Sequence, residues 1–342
     1  MLVRLSSRGW LVIPRSIRET LRLSTSTRSD VQAHEGKIIL EAVAEPAVGA
    51  LCGKYGDADV LTGLEEEHQR EVTNEEDSLG SGGNQVNRKP LQDKVAIVTG
   101  GANGIGLAIA QRLAADGASV IIGDMQGDDG RAAAQAIGGF FVEGDLSRQA
   151  DCRALVEQAM EAHGGVNILV NNAGFQSIHA LEDFPEEVWS RMMAVMLTAP
   201  FLLTKYVWPS MMARKWGRVV NIASIHGLVA SPNKAGYVTA KHGLVGLTRA
   251  AALEGGPHGI TVNAICPAYV RTPLVQNQIS AQARVRGLSE DEVVEKVMLE
   301  PAAIKRLIEP EEVAGVAAFL CTDEAGAITG TTMQIDLGWT AR

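Results

Sequence analysis

The chain has few cysteines, no excess of basic residues and no long apolar run, and each absence excludes a class of protein. Its four cysteines among 342 residues have neither the spacing of a metal site nor that of a disulfide framework, which indicates a reducing compartment. The net charge of −9 argues against nucleic-acid affinity over most of the surface. No segment approaches the roughly 20 apolar residues of a membrane span, and the N-terminus lacks a signal-peptide core. We therefore predict a cytoplasmic protein with no membrane partner and no metal.

The distribution of apolar residues predicts one large α/β domain with a smaller module in front. With 46% apolar residues, the chain suits a large buried core plus a minor unit. Apolar runs alternate with helical patterns, which favours a Rossmann-like, doubly wound parallel sheet with helices on both faces. The predicted strands are Val95–Val98, Val120–Ile122, Phe140–Val142, Ile168–Val170, Val219–Ile222, Thr261–Ile265 and Met333–Ile335. The polar, helical stretch from Pro273 to Arg306 interrupts this rhythm and is predicted to form a lid.

A glycine-rich turn lies between the first of these strands and the helix that follows. The sequence K-V-A-I-V-T-G-G-A-N-G-I-G ends at Gly106. This order of strand, turn and helix can set a pyrophosphate on backbone N–H groups at a helix N-terminus. About twenty residues further on, the second strand ends at Asp124, where a carboxylate can accept hydrogen bonds from both hydroxyls of a ribose. Because Asp124 would repel a 2′-phosphate, NAD is favoured over NADP.

A possible general acid/base lies in the stretch from Ser224 to Lys241. Tyr237 and Lys241 are one helical turn apart, so an ammonium can lie beside a phenol and lower the pKa of that phenol from about 10. A phenol tuned in this way can exchange a proton with an alcohol or a ketone. The pair alone is weak evidence, since many solvated helix faces carry it by chance.

From Leu91 to Arg342 the chain resembles the short-chain dehydrogenase/reductase family in five motifs. They are T-G-G-A-N-G-I-G at 99–106, D-L at 145–146, N-N-A-G at 171–174, the Ser224/Tyr237/Lys241 set, and C-P-A-Y-V-R-T-P at 266–273. The resemblance implies that Tyr237 is the acid/base, that Lys241 tunes it and holds the nicotinamide ribose, and that Ser224 orients the substrate oxygen. It implies NAD-binding roles for Gly100, Asn103, Gly104, Ile105, Gly106, Asp124, Asp145, Leu146, Asn172, Ala173, Gly174, Tyr237, Lys241, Val270 and Thr272.

Two positions depart from the pattern of that family. Met196 replaces the asparagine that usually completes a catalytic tetrad, which puts proton relay through this residue in doubt. Ala268 replaces the second glycine expected in the motif after the sixth strand. A methyl group at that position is a mild change.

The substrate prediction depends on a set of hydrogen-bond donors near the catalytic motif. Within the family, the chain looks most like the D-3-hydroxybutyrate dehydrogenases, through N-N-A-G-F-Q, S-I-H-G-L-V, T-P-L-V-Q-N-Q-I and the terminal D-L-G-W-T-A. A short hydroxy acid needs a clamp that fixes its carboxylate. The predicted substrate-binding residues are Gln176, Ser224, His226, Lys234, Tyr237 and Gln278, with Tyr269 and Trp339 as apolar walls. Each clamp member could instead be an ordinary loop or surface residue.

Residues 1–46 resemble the swapped-hairpin domain of AbrB-type regulators and antitoxins. The pattern S-x-x-G-x-x-x-I-P-x-x-I-R is followed by G-K-I, and so short a mainly-β segment would need dimerisation to bury a core. The resemblance implies DNA contacts by Arg4, Arg8, Arg15 and Arg18. Residues 1–46 contain seven basic and five acidic residues, and so small an excess of positive charge would attract DNA only weakly. The alternative is that these arginines are ordinary solvated surface.

Two further segments are predicted between this module and the α/β domain. Residues 47–77 form an acidic tail that looks like the toxin-neutralising tail of such antitoxins, which binds a PIN-domain ribonuclease; the alternative is an acidic spacer. Residues 78–90 have the composition of a flexible linker. The enzyme domain is predicted over 91–342.

Three functions stay open from the sequence. The first is NAD-dependent interconversion of D-3-hydroxybutyrate and acetoacetate by hydride transfer. The second is dehydrogenation of another small alcohol or ketone. The third is a DNA-binding regulator that uses the dinucleotide fold as a redox sensor. The family resemblance implies a homotetramer through the long helices at 186–212 and 235–255.

Overall fold

The computed structural model describes residues 29–34, 37–42 and 89–341, and its contacts divide the chain into two units, Met1–Val86 and Asn87–Arg342. In the first unit, strands β1 (Ser29–His34) and β2 (Lys37–Ala42) pair antiparallel. The predicted DNA-contacting residues Arg4, Arg8, Arg15 and Arg18, the acidic tail at 47–77 and linker residues 78–88 lie outside the described residues.

The second unit is built on a parallel sheet of seven strands in the order β5-β4-β3-β6-β7-β8-β9. The strands are β3 (Val95–Thr99), β4 (Ser119–Asp124), β5 (Phe140–Glu143), β6 (Ile168–Asn171), β7 (Gly217–Ile222), β8 (Ile260–Pro267) and β9 (Thr332–Ile335). Strands β6, β7 and β8 are buried along their whole length, because a parallel sheet is covered by helices on both faces. The predicted doubly wound fold is confirmed.

Helices cover both faces of this sheet. They are α1 (Gly104–Ala115), α2 (Gly127–Ala136), α3 (Gln149–His163), α4 (Glu186–Met193), α5 (Ala199–Arg214), α6 (Ala235–Gly255), α7 (Pro273–Arg286), α8 (Glu290–Val293) and α9 (Pro310–Leu320). One apolar cluster joins α1, α2 and α9 to the sheet, and a second joins α3, α5 and α6 to the opposite face.

The strand order reverses at β3, which pairs with β4 on one side and β6 on the other. Chain order runs outward from β3 to β5 and then returns to begin the other half at β6. In an open parallel sheet, the crevice at the carboxyl ends of the strands beside such a reversal is where ligands bind. The ends of β3, β4 and β6 are therefore where a functional site is expected.

The predicted lid consists of helices outside the sheet. Helix α7, helix α8 and the π-helical turn Val294–Met298 share a small apolar cluster of their own. Glu290 links α8 to α7, since its carboxylate accepts hydrogen bonds from Gln276 at 3.0 Å and Ser280 at 2.6 Å. Within the described part of the chain, no helix is both long and apolar enough to cross a membrane.

Candidate active site

A cavity of about 440 Å³ lies at the carboxyl ends of the strands, within the usual size range of a small-molecule site. Nearly every residue predicted from the sequence for this site lines it. The predicted residues in its wall are Gly100, Asn103, Gly104, Ile105, Asp124, Asp145, Leu146, Asn172, Ala173, Gly174, Gln176, Ser224, His226, Lys234, Tyr237, Lys241, Val270, Thr272 and Gln278. Tyr269, predicted as an apolar wall, also lines the cavity, whereas Gly106 and Trp339 do not.

The glycine-rich turn is held in shape by the neighbouring strand. Gly100 has a φ of +64°, a conformation that glycine adopts readily. A side chain at Gly106 would place its Cβ 2.1 Å from the Gly100 carbonyl oxygen, so Gly106 allows the turn to close even though it does not face the cavity. The side-chain amide of Asn172 donates to the carbonyl oxygens of Thr99 at 2.9 Å and Gly100 at 3.0 Å. Asn172 therefore fixes the turn that would carry a pyrophosphate.

The hydroxyl of Thr99 joins the two strands at the centre of the site. It accepts hydrogen bonds from the backbone N–H groups of Asn172 at 3.0 Å and Ala173 at 3.1 Å. The same hydroxyl donates to the carbonyl of Val170 at 3.3 Å. No role was predicted for this threonine from the sequence, although it is the first residue of the glycine motif at the end of β3.

Asp124 lies at the end of β4, with its carboxylate facing the cavity. One oxygen accepts from the backbone N–H of Ala102 at 3.0 Å and the other from that of Gln126 at 3.0 Å. These bonds fix the carboxylate and leave lone pairs for further donors, since a carboxylate has about four acceptor positions. The arrangement fits the hydroxyl pair of an adenosine ribose.

Asp145, Arg191 and Phe175 lie together along the same cavity. The backbone N–H of Ser147 donates to Asp145 and lowers the pKa of this carboxyl. Arg191 lies 4.0 Å from Asp145, and its guanidinium carbon is 5.8 Å from the centre of the Phe175 ring. Sequence reasoning missed Arg191, which belongs to none of the motifs, and it assigned no role to Phe175, although this residue lies within N-N-A-G-F-Q.

The electrostatics of Tyr237 and Lys241 differ from the sequence expectation. Burial raises the pKa of Tyr237 to about 12, and a hydrogen bond with Ser224 acts in the opposite direction. Burial also lowers the pKa of Lys241 to about 8. The ammonium of Lys241 donates to the carbonyl of Ile222 at 2.6 Å and lies 5.6 Å from the centre of the Tyr237 ring. The expected lowering of the phenol pKa is wrong in this structure, because desolvation outweighs the neighbouring groups, and Tyr237 keeps its phenolic proton at physiological pH.

Ser224 and His226 lie on a short 3-10 turn after β7. The Ser224 hydroxyl accepts from the backbone N–H of His226 at 3.1 Å and lies 3.5 Å from Nδ1 of that imidazole. The imidazole ring is buried, 6.2 Å from the ring centre of Tyr237 and 6.3 Å from that of Trp339. Burial, followed by the charge of Lys234, lowers the pKa of His226 to about 3. His226 is therefore neutral at physiological pH.

Lys234 projects into the same end of the cavity with only 6% of its surface exposed. Burial lowers the pKa of Lys234 to about 8, and its ammonium lies 5.6 Å from the centre of the Tyr269 ring. The backbone N–H of His179 donates to the carbonyl of Asn233 at 3.0 Å. This bond connects the segment after Gln176 to the residue before Lys234.

A hydrogen bond between the side chains of Gln278 and Gln176 connects the lid to the segment that follows β6. Gln278 on α7 donates its side-chain amide to Oε1 of Gln176, which follows β6. The remaining amide atoms, Nε2 of Gln176 and Oε1 of Gln278, are buried without a protein partner in the described part of the chain. Because an unpaired buried amide is costly, this pair is a candidate for polar contact with a ligand.

Met196, where the related family usually has asparagine, lies in a π-helical turn formed by Ala194–Thr198. Its side chain is buried with Met192 and Ala240, and Tyr237 packs against this apolar cluster. A Cβ added at Gly174 would lie 3.2 Å from the Met196 sulfur. The side of Tyr237 that faces this cluster is therefore closed by thioether and apolar groups rather than by an amide.

The residues of this site fit a nicotinamide dinucleotide. The turn around Gly100 and Gly104 leads into the N-terminus of α1, where backbone N–H groups and the helix dipole favour a pyrophosphate. The fixed carboxylate of Asp124, at the end of β4, lines the same cavity as Tyr237 and Lys241 on α6. The cavity therefore provides a place for each polar part of such a cofactor next to the phenol of Tyr237.

Comparisons with known proteins agree with this geometry. A family model described as enoyl-(acyl carrier protein) reductase matches residues 100–340. The D-beta-hydroxybutyrate dehydrogenase of Rhizobium meliloti (strain 1021) is 44% identical over 256 residues, which cover 73% of this chain and 99% of that protein. The enzyme of the same name from Cupriavidus necator is 42% identical over 257 residues, 74% of this chain and 100% of that protein. An uncharacterized oxidoreductase of Bacillus subtilis (strain 168) is also 42% identical over 257 residues, with the same coverage.

Proposed function

Because the chain belongs to the short-chain dehydrogenase/reductase family, we propose that it interconverts D-3-hydroxybutyrate and acetoacetate with NAD. The observation that carries the choice of substrate is the buried ammonium of Lys234. No carboxylate in the described part of the chain pairs with it. A buried ammonium without an anion is costly, and a substrate carboxylate would offset that cost.

The donors proposed for a short acid line one cavity. Lys234 and Gln176 would hold the carboxylate, while Tyr237 and Ser224 would meet the oxygen on C3. Tyr269 and Trp339 are partly buried near this end and would provide apolar walls, since their rings lie close to Lys234 and His226 respectively. An acid held at both ends presents its C3 in one orientation, which is the basis of the expected preference for one enantiomer.

The catalytic work of the protein is proton transfer at the C3 oxygen. In the direction of reduction, Tyr237 donates its phenolic proton to the carbonyl oxygen of acetoacetate, and Ser224 stabilises the developing negative charge on that oxygen. Lys241, with its positive charge near the phenol, favours the phenolate that remains. In the direction of oxidation, the phenolate takes the hydroxyl proton of D-3-hydroxybutyrate. A bound nicotinamide supplies or accepts the hydride.

The preference for NAD rests on Asp124. Its carboxylate is held by the backbone N–H groups of Ala102 and Gln126, so it cannot easily turn away from a ribose. A 2′-phosphate at this position would meet a fixed negative charge. The neighbouring Met125 offers no positive charge to compensate.

The proposed activity is tested by following the absorbance of the reduced nicotinamide with purified protein. We expect turnover with D-3-hydroxybutyrate and NAD, and much slower turnover with the L-enantiomer or with NADP. Tyr237→Phe, which keeps the ring and removes the proton donor, should abolish turnover. Equal turnover of both enantiomers, or turnover of uncharged alcohols in preference to the acid, would contradict the substrate and favour a different small alcohol or ketone.

A further inference from the structure

Lys234 is held in the cavity against the tendency of its ammonium to return to water. Only 6% of the residue is exposed, and burial lowers the pKa of its ammonium. Because the lysine stem is long and flexible, a lysine near the surface ordinarily turns until its charged end reaches solvent. The backbone that carries Lys234 must therefore direct the side chain inward.

The residue before Lys234 has an uncommon backbone conformation. Asn233 is exposed and has a φ of +63°, in the left-handed region that most residues with a side chain avoid. Together with Pro232 it forms a turn. Proline followed by asparagine with a positive φ is the pattern of a type II turn, and asparagine tolerates this region better than most residues. The direction in which the chain enters Lys234 therefore depends on the residue at 233.

One backbone hydrogen bond connects this turn to the segment that follows β6. The N–H of His179 donates to the carbonyl oxygen of Asn233 at 3.0 Å. His179 is itself held by its side chain, since its Nε2 lies 2.8 Å from the hydroxyl oxygen of Ser177. Gln176 directly precedes this serine and lines the same cavity as Lys234. The bond therefore connects the backbone segments that carry two of the groups proposed to hold the substrate carboxylate.

We infer that Asn233 is a positioning residue, whose left-handed backbone directs Lys234 into the cavity to meet the substrate carboxylate. His179 fixes that backbone through the Asn233 carbonyl and so sets the ammonium relative to the amide of Gln176. The inference deepens the proposed function and rests on it, since it concerns the carboxylate of the proposed substrate.

Two substitutions of Asn233 separate its backbone conformation from its side chain. Glycine adopts a positive φ without strain, so Asn233→Gly should keep KM for acetoacetate within about twofold of the wild type. Valine is β-branched and strained in this region, so the turn in Asn233→Val should relax and release Lys234 to solvent. We expect KM for acetoacetate to rise about tenfold and kcat to change less than about twofold. An equal rise of KM in Asn233→Gly would assign the effect to the lost side chain and overturn the inference.

The second arm of the experiment uses methyl acetoacetate, a ketone without the carboxylate, whose KM should be the same in the wild type and in both variants. Lys215→Val is the matched control, because Lys215 at the end of α5 is exposed, has a φ of +50° and does not line the cavity. It places valine in the same backbone region and should leave KM for acetoacetate unchanged. An equal rise of KM with the ester in Asn233→Val, or with acetoacetate in Lys215→Val, would indicate a general loss of structure and overturn the inference.

Chemical labelling of lysine tests the position of Lys234 without turnover. The proteins are treated briefly with acetic anhydride, and acetylation at Lys234 is measured by mass spectrometry relative to the exposed Lys296. Lys234 should react slowly in the wild type and in Asn233→Gly, and about tenfold faster in Asn233→Val, in proportion to the loss of binding. Slow labelling of Lys234 in Asn233→Val would overturn the inference. If acetoacetate is not a substrate but the labelling follows the expected order, the proposed function fails while the assignment of Asn233 stands.

Discussion

Replacing Lys234 by methionine should stabilise the fold and weaken binding of the acid. Burial lowers the pKa of Lys234 from 10.5 to about 8. Since one pKa unit corresponds to about 1.4 kcal/mol, keeping this ammonium in the folded protein costs about 3 kcal/mol below pH 8. The cation–π contact of this ammonium with the Tyr269 ring, at 5.6 Å, offsets about 1 kcal/mol of that cost. Methionine is unbranched and apolar and can fill the same space, so the variant should gain about 2 kcal/mol.

The size of this effect changes with pH in a defined way. The folded state binds the proton of Lys234 less tightly than the unfolded state, so wild-type stability rises between about pH 8 and the ordinary lysine pKa of about 10.4. The advantage of Lys234→Met is therefore complete below pH 8 and shrinks as pH rises through that window. At pH 7 the thermal midpoint should rise by about 4 to 8 °C.

The assay compares thermal unfolding and steady-state kinetics of the same preparations. KM for acetoacetate should rise about 30-fold or more, as expected when a charge-assisted hydrogen bond is lost, whereas KM for methyl acetoacetate should change little. The matched control is Lys296→Met, which removes an exposed lysine paired with Glu292 and should give no gain in stability. An unchanged or lower midpoint for Lys234→Met at pH 7, or a gain that persists at pH 10.5, would refute the reasoning.

Four further predictions follow from other parts of the structure. Asp124→Asn should raise the ratio of kcat/KM for NADP to that for NAD about tenfold or more, because the fixed negative charge is removed; an unchanged ratio would contradict its role. Since burial raises the pKa of Tyr237 to about 12, the rate of alcohol oxidation should increase with pH across the neutral and alkaline range, while ketone reduction should not; a pH-rate profile in both directions decides this. Gly106→Ala should abolish cofactor binding measured by calorimetry, because its Cβ meets the Gly100 carbonyl at 2.1 Å, whereas Gly246→Ala, with open space around it, should leave binding intact. The tetramer expected through the long helices predicts that Leu253→Glu, at a site 82% exposed in the single chain, lowers the mass measured by light scattering.

The sheet was predictable because its strands carry an unambiguous pattern. Strands buried on both faces have continuous apolar runs, as Val95–Val98 and Ile168–Val170 do in this chain. The prediction for the first strand, Val95–Val98, differs from the observed Val95–Thr99 by one residue. The residue left out of the predicted strand is Thr99, whose hydroxyl accepts hydrogen bonds from Asn172 and Ala173. The prediction therefore overlooked a contact that shapes the site.

The electrostatic state of the site was not predictable from spacing. The separation of Tyr237 and Lys241 by one helical turn correctly indicated that both side chains reach one cavity. It could not indicate how much each is desolvated, and desolvation determines the direction of the pKa shift for both groups. Arg191 illustrates the same limit, because its position beside Asp145 depends on how α4 packs against the end of β5.

The two buried lysines differ in the partners that the fold gives them, and this difference bears on their functions. Lys241 donates to the carbonyl of Ile222 at 2.6 Å, so part of its desolvation cost is met by the backbone and its position is fixed before any ligand binds. Lys234 contacts the face of an aromatic ring at 5.6 Å, which compensates an ammonium only weakly. A charge that must remain in place through every turnover is best held by the protein, whereas a charge that must bind and release an anion is best left incompletely satisfied. We therefore propose that Lys241 belongs to the permanent machinery around Tyr237 and that Lys234 binds the exchangeable substrate.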